Sequence, residues 1–261
     1  VGFGIGIGNG LAIVAARSYG AQDEDLLKKT VAGSLVIGFL SSLCITLAGL
    51  VGLHPLLVLL DTPAEILEEA YSYILIIDVG VLVMFAYNLC AGLLRAIGNS
   101  FMPLIFLLIS SGLNVALDLV FIAVVGMGVK GAAVATVISQ GVSVVLCIFY
   151  VLRKTRVLVP ERKHFQVGRK LYWDLFSQSI SMGLMSSIVS AGSVVLQYGI
   201  NGLGTLVIAG HTAARKMFAF TDMPLIAMAN AGSTFVSQNY GANHPDRVRK
   251  GMREIYLYSV V

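Results

Sequence analysis

Long uncharged segments alternate with short polar ones along most of the chain. Five stretches contain no Asp, Glu, Lys or Arg; they are residues 31–60, 96–117, 131–152, 175–214 and 223–245. A helix needs about 20 predominantly apolar residues to cross the hydrocarbon core of a bilayer. The stretch 175–214 is about twice that length, so it must hold more than one membrane span.

This pattern predicts eight helical segments separated by polar loops. Their predicted ranges are 1–19, 30–53, 68–94, 101–125, 131–152, 175–199, 206–240 and from 248 onward. Pro55 is predicted to close the second segment, and Thr62 and Pro63 are predicted to begin the third as N-cap and first helical residue. The segment 206–240 is longer than a bilayer requires, which predicts a tilt, a kink at Pro224 or an extension into water.

Composition and charge place the chain in a membrane. Hydrophobic residues make up 57% and charged residues 12%, where a soluble domain carries about 25% charged residues. If alternate loops face opposite sides, all the Lys and Arg residues except Lys130, Arg215 and Lys216 fall on one side. That side is predicted to be cytoplasmic. We expect a multi-pass plasma-membrane protein, of the bacterial inner-membrane type. The net charge of +4 comes from basic residues placed by this topology and does not indicate nucleic-acid binding.

The segment 153–170 differs from the rest because it contains seven Lys or Arg residues and little apolar periodicity. It predicts a hydrophilic cytoplasmic linker between two groups of helices. The predicted organisation is an N-terminal bundle at 1–152, a basic linker at 153–172 and the start of a C-terminal bundle at 173–261.

The chain also contains an internal repeat. Residues 9–30 and 230–251 align without gaps at an offset of 221. Asn9 returns as Asn230, and Tyr19-Gly20-Ala21 returns as Tyr240-Gly241-Ala242. An even number of predicted spans separates the copies, so both enter the membrane in the same sense. This predicts a parallel repeat, as in transporters built from two bundles around a central path.

Polar side chains that could bind a cation lie inside two neighbouring spans. Asn114 and Asp118 are four residues apart and share one face of a helix. Thr136 and Gln140 repeat the spacing on the next span, and the short connection 126–131 makes the two helices antiparallel neighbours. An ionised Asp at the centre of a bilayer costs about 2.5 to 3.5 kcal/mol, so Asp118 is a candidate cation or proton site. The alternative is an Asp that Asn114 and Thr136 satisfy without an ion.

Other polar residues in the spans are candidate contacts to a transported molecule. They are Asp78, Tyr87, Asn88, Gln178, Gln197 and Asp222. Five methionines, at positions 182, 185, 217, 223 and 228, could form an adaptable surface for varied ligands or could face lipid or the core. Cys44, Cys90 and Cys147 lie singly in apolar segments and are interpreted as small buried hydrophobes. The four histidines show no catalytic or metal-ligating spacing, so we expect no enzyme, no catalytic residue, no structural metal and no cofactor.

Four stretches resemble the multidrug and toxin extrusion (MATE) transporters. They are residues 94–100 (Leu-Arg-Ala-Ile-Gly-Asn-Ser), the pair Asn114 and Asp118, residues 126–136 and residues 238–242. The resemblance covers essentially the whole chain. It implies an all-α polytopic membrane protein with two six-helix bundles, and an antiporter that expels cationic amphiphilic compounds in exchange for H⁺ or Na⁺.

The same resemblance assigns the coupling ion to Asp118, Asn114 and Thr136. On that mapping the chain begins in the second helix of the family fold and lacks the first and most of the last four. An acidic residue that several relatives carry on the first helix would then be absent from the site. The carboxylate that some relatives place on the seventh helix has no match in 175–199.

Two other functions are alternatives to export. A flippase for a lipid-linked precursor, on the same architecture, would need basic residues inside the cavity, whereas the basic residues here are predicted to lie almost entirely in loops. A membrane-embedded enzyme would need a nucleophile with a base, or a metal cluster. We expect a monomer whose partners are the lipid bilayer and a small cationic amphiphile.

Overall fold

Every element in the part of the chain that the computed structural model describes, residues 2–59 and 64–260, is helical. The helices are α1 (Gly2–Gly20), α2 (Glu24–Leu59), α3 (Ala64–Val79), α4 (Val81–Ala96), α5 (Phe101–Asp118), α6 (Gly128–Lys154), α7 (Arg169–Asn201), α8 (Thr205–Gly241) and α9 (Pro245–Val260). A π-helical segment, Leu119–Val124, continues α5. Two 3₁₀ turns, Arg156–Leu158 and Arg162–Phe165, lie between α6 and α7. The predicted all-α class is confirmed.

Several helices have the length and apolar character of membrane spans. Four segments qualify on their own: Glu24–Val58, Phe101–Val124, Gly128–Lys154 and Arg169–Ile200. α3 and α4 would form a fifth span together, bent by 45° at their junction. Large apolar side chains on these helices are exposed, such as Val124 at 80% and Val195 at 72%, as expected for surfaces that face lipid instead of water. The polytopic membrane class is therefore confirmed.

The element boundaries correct several predictions. The span predicted at 68–94 is two helices, because the chain bends at Gly80. Pro55 does not close α2, which continues to Leu59. The long segment predicted at 206–240 is one helix, α8, which contains Pro224. Proline removes only one hydrogen bond from a helix, and membrane helices accommodate that loss. The predicted cap at Thr62 and Pro63 lies outside the described residues.

Two further predictions about loops and burial are wrong. Arg95, expected in a turn, lies in the last turn of α4. The segment between α6, which ends at Lys154, and α7, which begins at Arg169, lies within the predicted linker 153–172. Cys44 is exposed, whereas Cys147 is buried as expected.

α1 lies at the centre of the molecule and contacts α2, α4, α7 and α8. Its apolar residues Ile7, Leu11 and Val14 are fully buried. Small residues allow the close approach: a Cβ on Gly10 would lie 2.5 Å from the carbonyl oxygen of Gln178 on α7. The glycine-rich start of the chain is therefore a helix that packs tightly against its neighbours, as the sequence indicated.

The two copies of the internal repeat have the same backbone structure where α1 and α8 end. The amide of Ala21 donates to the carbonyl of Arg17 at 3.0 Å, and the equivalent amide of Ala242 donates to Gln238 at 2.9 Å. The next residues, Gln22 and Asn243, have φ values of +56° and +57°. α2 then begins at Glu24 and α9 at Pro245, again 221 residues apart.

The same ends of α1 and α8 cross each other reciprocally. A Cβ on Gly20 would overlap the carbonyl oxygen of Gln238, and a Cβ on Gly241 would overlap the carbonyl oxygen of Arg17. Gly241 and Gln238 are the repeat equivalents of Gly20 and Arg17, so the two contacts are the same contact made twice. A local two-fold axis therefore passes between the two helices. We call this end of the molecule, where residues 155–168 also lie, the linker-side end.

Candidate functional site

The predicted cation-site residues lie between α5 and α6. The side-chain amide of Asn114 donates to the hydroxyl of Thr136 across a long 3.4 Å hydrogen bond, and that hydroxyl donates to the carbonyl of Ala132 at 2.9 Å. Both side chains are half-buried. The structure thus brings Asn114 and Thr136 together, as their spacing on neighbouring helices predicted.

Asp118 is the last residue of α5, one turn after Asn114, where the helix changes to the π-helical segment. Its Oδ1 atom is buried, and no described residue forms a hydrogen bond with that atom. A buried carboxylate oxygen without a donor is unfavourable. Hydroxyl, amide and carboxylate oxygens are the ligands that hard cations prefer. The arrangement could therefore accept a proton or a small cation at Asp118.

A transition-metal site finds no support in residues 2–59 and 64–260. No group of three or more His, Cys, Asp or Glu side chains in these ranges could hold a metal ion. No sequence pattern predicted the π-helical segment that follows Asp118. Such segments insert one extra residue per turn and occur frequently at functional sites.

Asp78 faces a different environment from Asp118. Its carboxylate packs against α2, where a Cβ on Gly49 would overlap it, and its backbone carbonyl accepts a hydrogen bond of 3.0 Å from the hydroxyl of Thr46. Its Oδ2 atom is buried and has no hydrogen-bond partner in the described chain. The structure places Asp78 between α2 and α3.

The other candidate contacts are distributed over α4, α7 and α8. The buried Tyr87 donates its hydroxyl proton to the carbonyl of Pro103 at 3.0 Å. Asn88 donates to the carbonyl of Met84 at 2.8 Å and lines a small crevice beside α1. Gln178 lies where α7 meets α1. Gln197 on α7 and Asp222 on α8 are both half-exposed. Their role in substrate binding stays a prediction.

A cavity of about 200 Å³ lies between α1 and α4 on one side and α7 and α8 on the other. Met182 and Met185, two of the five methionines, line it; Met217 and Met223 are exposed on α8. The polar lining residues are Asn9, Arg95, Ser186, Asn230, Ser233 and Thr234. The sequence did not indicate that these polar residues line one cavity, because Arg95 was predicted to lie in a loop. The internal repeat was the one indication in the sequence that Asn9 and Asn230 are related, since they are equivalent positions.

Polar contacts join the helices at the linker-side end. Arg17 on α1 forms an ion pair with Asp174 on α7. The side-chain amide of Gln238 on α8 donates to the carbonyl of Ala96 on α4 at 2.8 Å. Both contacts connect α1 and α4 to α7 and α8. The sequence alone could not pair these residues, which lie more than 100 positions apart.

The linker is also fixed to this end. His164 is 2% exposed, its Nδ1 accepts a hydrogen bond of 2.9 Å from the amide of Glu161, and its Nε2 lies 3.3 Å from Oδ1 of Asp25 on α2. The ammonium group of Lys163 is 3.1 Å from Glu161, and this hydrogen-bonded contact lowers the pKa of that carboxyl from its ordinary value. The segment is hydrophilic, as predicted, but it is docked against α2.

Comparison with known proteins gives consistent matches. The MatE family model matches residues 1–120 and 181–261. The chain is 29% identical over 250 residues to "Probable multidrug resistance protein YpnP" of Bacillus subtilis (strain 168), covering 94% of the chain and 55% of that protein. It is 23% identical over 241 residues to "Multidrug export protein MepA" of Staphylococcus aureus (strain NCTC 8325 / PS 47), covering 92% of the chain and 52% of that protein.

A solved structure described as "Crystal structure of MATE in complex with MaD5" superimposes with a TM-score of 0.87 at 25% sequence identity, covering 99% of this chain and 58% of that one. The chain thus spans about half the length of the curated relatives that it matches.

Proposed function

The chain belongs to the MatE family, and from this premise we propose that it acts in secondary active export of cationic amphiphilic compounds, in exchange for H⁺ or Na⁺. The names of the relatives, a multidrug resistance protein and a multidrug export protein, support efflux of small molecules. The exposed apolar helix surfaces support a multi-pass location in a membrane. The basic residues of the linker and of the loops on the same side support a cytoplasmic position for the linker-side end, and so a plasma-membrane protein.

The observation that carries the ion-coupling proposal is the unpaired buried oxygen of Asp118 next to the Asn114–Thr136 pair. A proton or Na⁺ bound there neutralises the carboxylate, and its release leaves a charge that the surrounding helices must solvate. Ion occupancy therefore favours one helix arrangement over another, which is the requirement for coupled transport. One charge that crosses 100 mV supplies about 2.3 kcal/mol.

The transport path, in this proposal, runs between two bundles that exchange outward-open and inward-open arrangements. The predicted ranges 1–152 and 173–261 supply the two sides, joined by the linker 153–172. The cavity between α1, α4, α7 and α8 lies at the interface of these ranges, which supports a path at that position. We expect the full-length protein to work as a monomer without a cofactor.

The test is export by the full-length protein in energised membrane vesicles, using a fluorescent lipophilic cation under an imposed H⁺ or Na⁺ gradient. We expect Asp118→Asn to lower the gradient-dependent rate by at least about tenfold, because the amide has no negative charge to attract a cation and no acidic proton to release; tenfold corresponds to about 1.4 kcal/mol. Asp246→Asn, at an exposed position in the first turn of α9, is the matched control. Export by Asp118→Asn at the wild-type rate, at equal expression, would contradict the proposal.

A further inference from the structure

The cavity between α1, α4, α7 and α8 contains a cation whose side chain points away from the end of its own helix. Arg95 lies in the last turn of α4, where a long basic side chain usually extends towards the interface. Here the side chain turns back along the helix: a Cβ on Gly92, one turn earlier, would lie 3.9 Å from the Nη2 atom of Arg95. Arg95 is half-buried and lines the cavity.

Nothing negative balances this charge in the described chain. The residues that line the cavity include no Asp or Glu. Within residues 2–59 and 64–260, Arg95 takes part in no ion pair or side-chain hydrogen bond, and the nearby hydroxyl of Tyr87 donates to Pro103. A partly desolvated guanidinium without a partner is unfavourable, and an anionic ligand would remove that cost.

The rest of the lining supplies neutral hydrogen-bond donors. Asn9 on α1 and Asn230 on α8 are repeat equivalents, so the cavity lies on the local two-fold axis. Their side-chain amides, with the hydroxyl of Ser186 on α7, can donate to oxygen atoms. The planar guanidinium of Arg95 can donate two parallel hydrogen bonds to a carboxylate or phosphate group. Met182 and Met185 provide an apolar wall beside them.

We propose that Arg95, Asn9, Asn230 and Ser186 form an oxyanion subsite that binds the carboxylate or phosphate group of a transported amphiphile. The proposal rests on the export function above and adds a class of substrate to it: molecules that carry an anionic group, including zwitterions. A cavity of about 200 Å³ is smaller than the roughly 300 to 1,000 Å³ of pockets for drug-sized ligands. It therefore fits the anionic group and the atoms next to it, while the remaining body extends along the path.

The experiment compares two dyes that differ by one methyl ester. Tetramethylrhodamine free acid carries a carboxylate, and its methyl ester does not. Binding of each dye to the purified full-length protein in maltoside detergent micelles, which contain no phosphate, is measured by fluorescence anisotropy, for wild type, Arg95→Gln, Arg95→Lys and the control Arg247→Gln. Arg247 is exposed and lies outside the cavity.

We expect Arg95→Gln to weaken binding of the free acid by at least about tenfold and to change binding of the ester by less than about twofold, because only the acid loses a charge-assisted contact. Arg95→Lys should retain part of the preference, and Arg247→Gln should change neither dye. An equal loss for both dyes in Arg95→Lys, or no loss for the acid in Arg95→Gln, overturns the proposal. Unchanged binding of the ester shows that a variant is folded.

A second arm identifies the source of the anionic group. Phosphatidylglycerol added to the phosphate-free micelles should compete with the free acid, in wild type only, if a lipid phosphate occupies the subsite; no competition assigns it to the carboxylate of a soluble substrate. These measurements are made at equilibrium without an ion gradient. If the protein does not couple export to an ion, the dye comparison can therefore still be interpreted. If the two dyes bind alike, the ion-coupling proposal is not affected.

Discussion

Asp118 and Asp78 each place a carboxylate oxygen in a buried position without a hydrogen-bond partner in the described chain, yet their surroundings differ. Asp118 lies one turn from the Asn114–Thr136 pair, at the change from α-helix to π-helix. Asp78 is enclosed between α2 and α3, against Gly49 and Thr46. We interpret Asp118 as the coupling residue and Asp78 as a residue that positions α3 on α2.

Asp78→Asn should therefore leave ion-dependent export largely intact. An amide fits the same space, and the hydrogen bond from Thr46 goes to the backbone of residue 78, so the α2–α3 contact is retained. We expect an export rate within about threefold of wild type, a change below about 0.7 kcal/mol. The measurement is vesicle efflux beside Asp118→Asn at matched expression. Loss of gradient dependence in Asp78→Asn would instead make Asp78 part of the coupling site.

The sequence allowed this site to be predicted in part. The spacing of Asn114, Asp118 and Thr136, together with the short connection 126–131, was enough to place Asn114 beside Thr136. The environment of Asp78 was not predictable, because it depends on a glycine 29 positions earlier in a different helix. The position of Arg95 was predicted wrongly. A basic residue beside a polar turn has the same sequence context whether its side chain extends to water or folds back into a cavity, so the sequence does not distinguish the two.

At the scale of helices, the reciprocal crossing of α1 and α8 depends on the absence of two side chains. Gly20 and Gly241 each approach a backbone carbonyl of the other helix, and backbone atoms cannot move aside as a flexible side chain could. The crossing therefore fixes how closely the two repeat copies approach at the linker-side end.

Gly20→Ala should separate these two helix ends. We expect a loss of about 1 to 3 kcal/mol in stability, as is usual for overpacked sites, and a lower midpoint of thermal unfolding for the detergent-solubilised full-length protein. Gly241→Ala should have the same effect, since the contact is equivalent. Gly112→Ala is the matched control, because a Cβ on Gly112 meets no atom within 4 Å and alanine favours the helix. Equal midpoints for Gly20→Ala and Gly112→Ala would show that the crossing is loose.

Helix existence followed from the apolar segments, but helix ends and breaks did not. Pro55 predicted a helix boundary, yet α2 continues through it to Leu59, because proline removes only one hydrogen bond from a helix and the others remain. Pro224 also lies within a continuous helix, α8. The break at Gly80 had no proline to mark it. The local sequence pattern predicts the lengths of apolar helices well and the positions of bends poorly.

At the scale of the whole molecule, α1 and α4 are tied to α7 and α8 at the linker-side end. The ties are the Arg17–Asp174 ion pair, the Gln238–Ala96 hydrogen bond and the glycine crossing. In the proposed transport cycle these contacts must separate when the path opens on that side. The repeat predicted that α1 and α8 are equivalent, and the structure adds that the equivalent positions face each other.

The central proposal is that movement of a cation through the Asp118 site is coupled to export, and substrate-driven ion flux tests it most directly. Full-length protein in proteoliposomes, with no ion gradient imposed, is given a gradient of the lipophilic cation, and dyes for pH and Na⁺ record the opposite movement of H⁺ or Na⁺. Coupling is reciprocal, so wild type and Asp246→Asn should show a saturable counter-flux of one ion, and Asp118→Asn should show none. Export of the cation by wild type without movement of either ion would contradict the proposal.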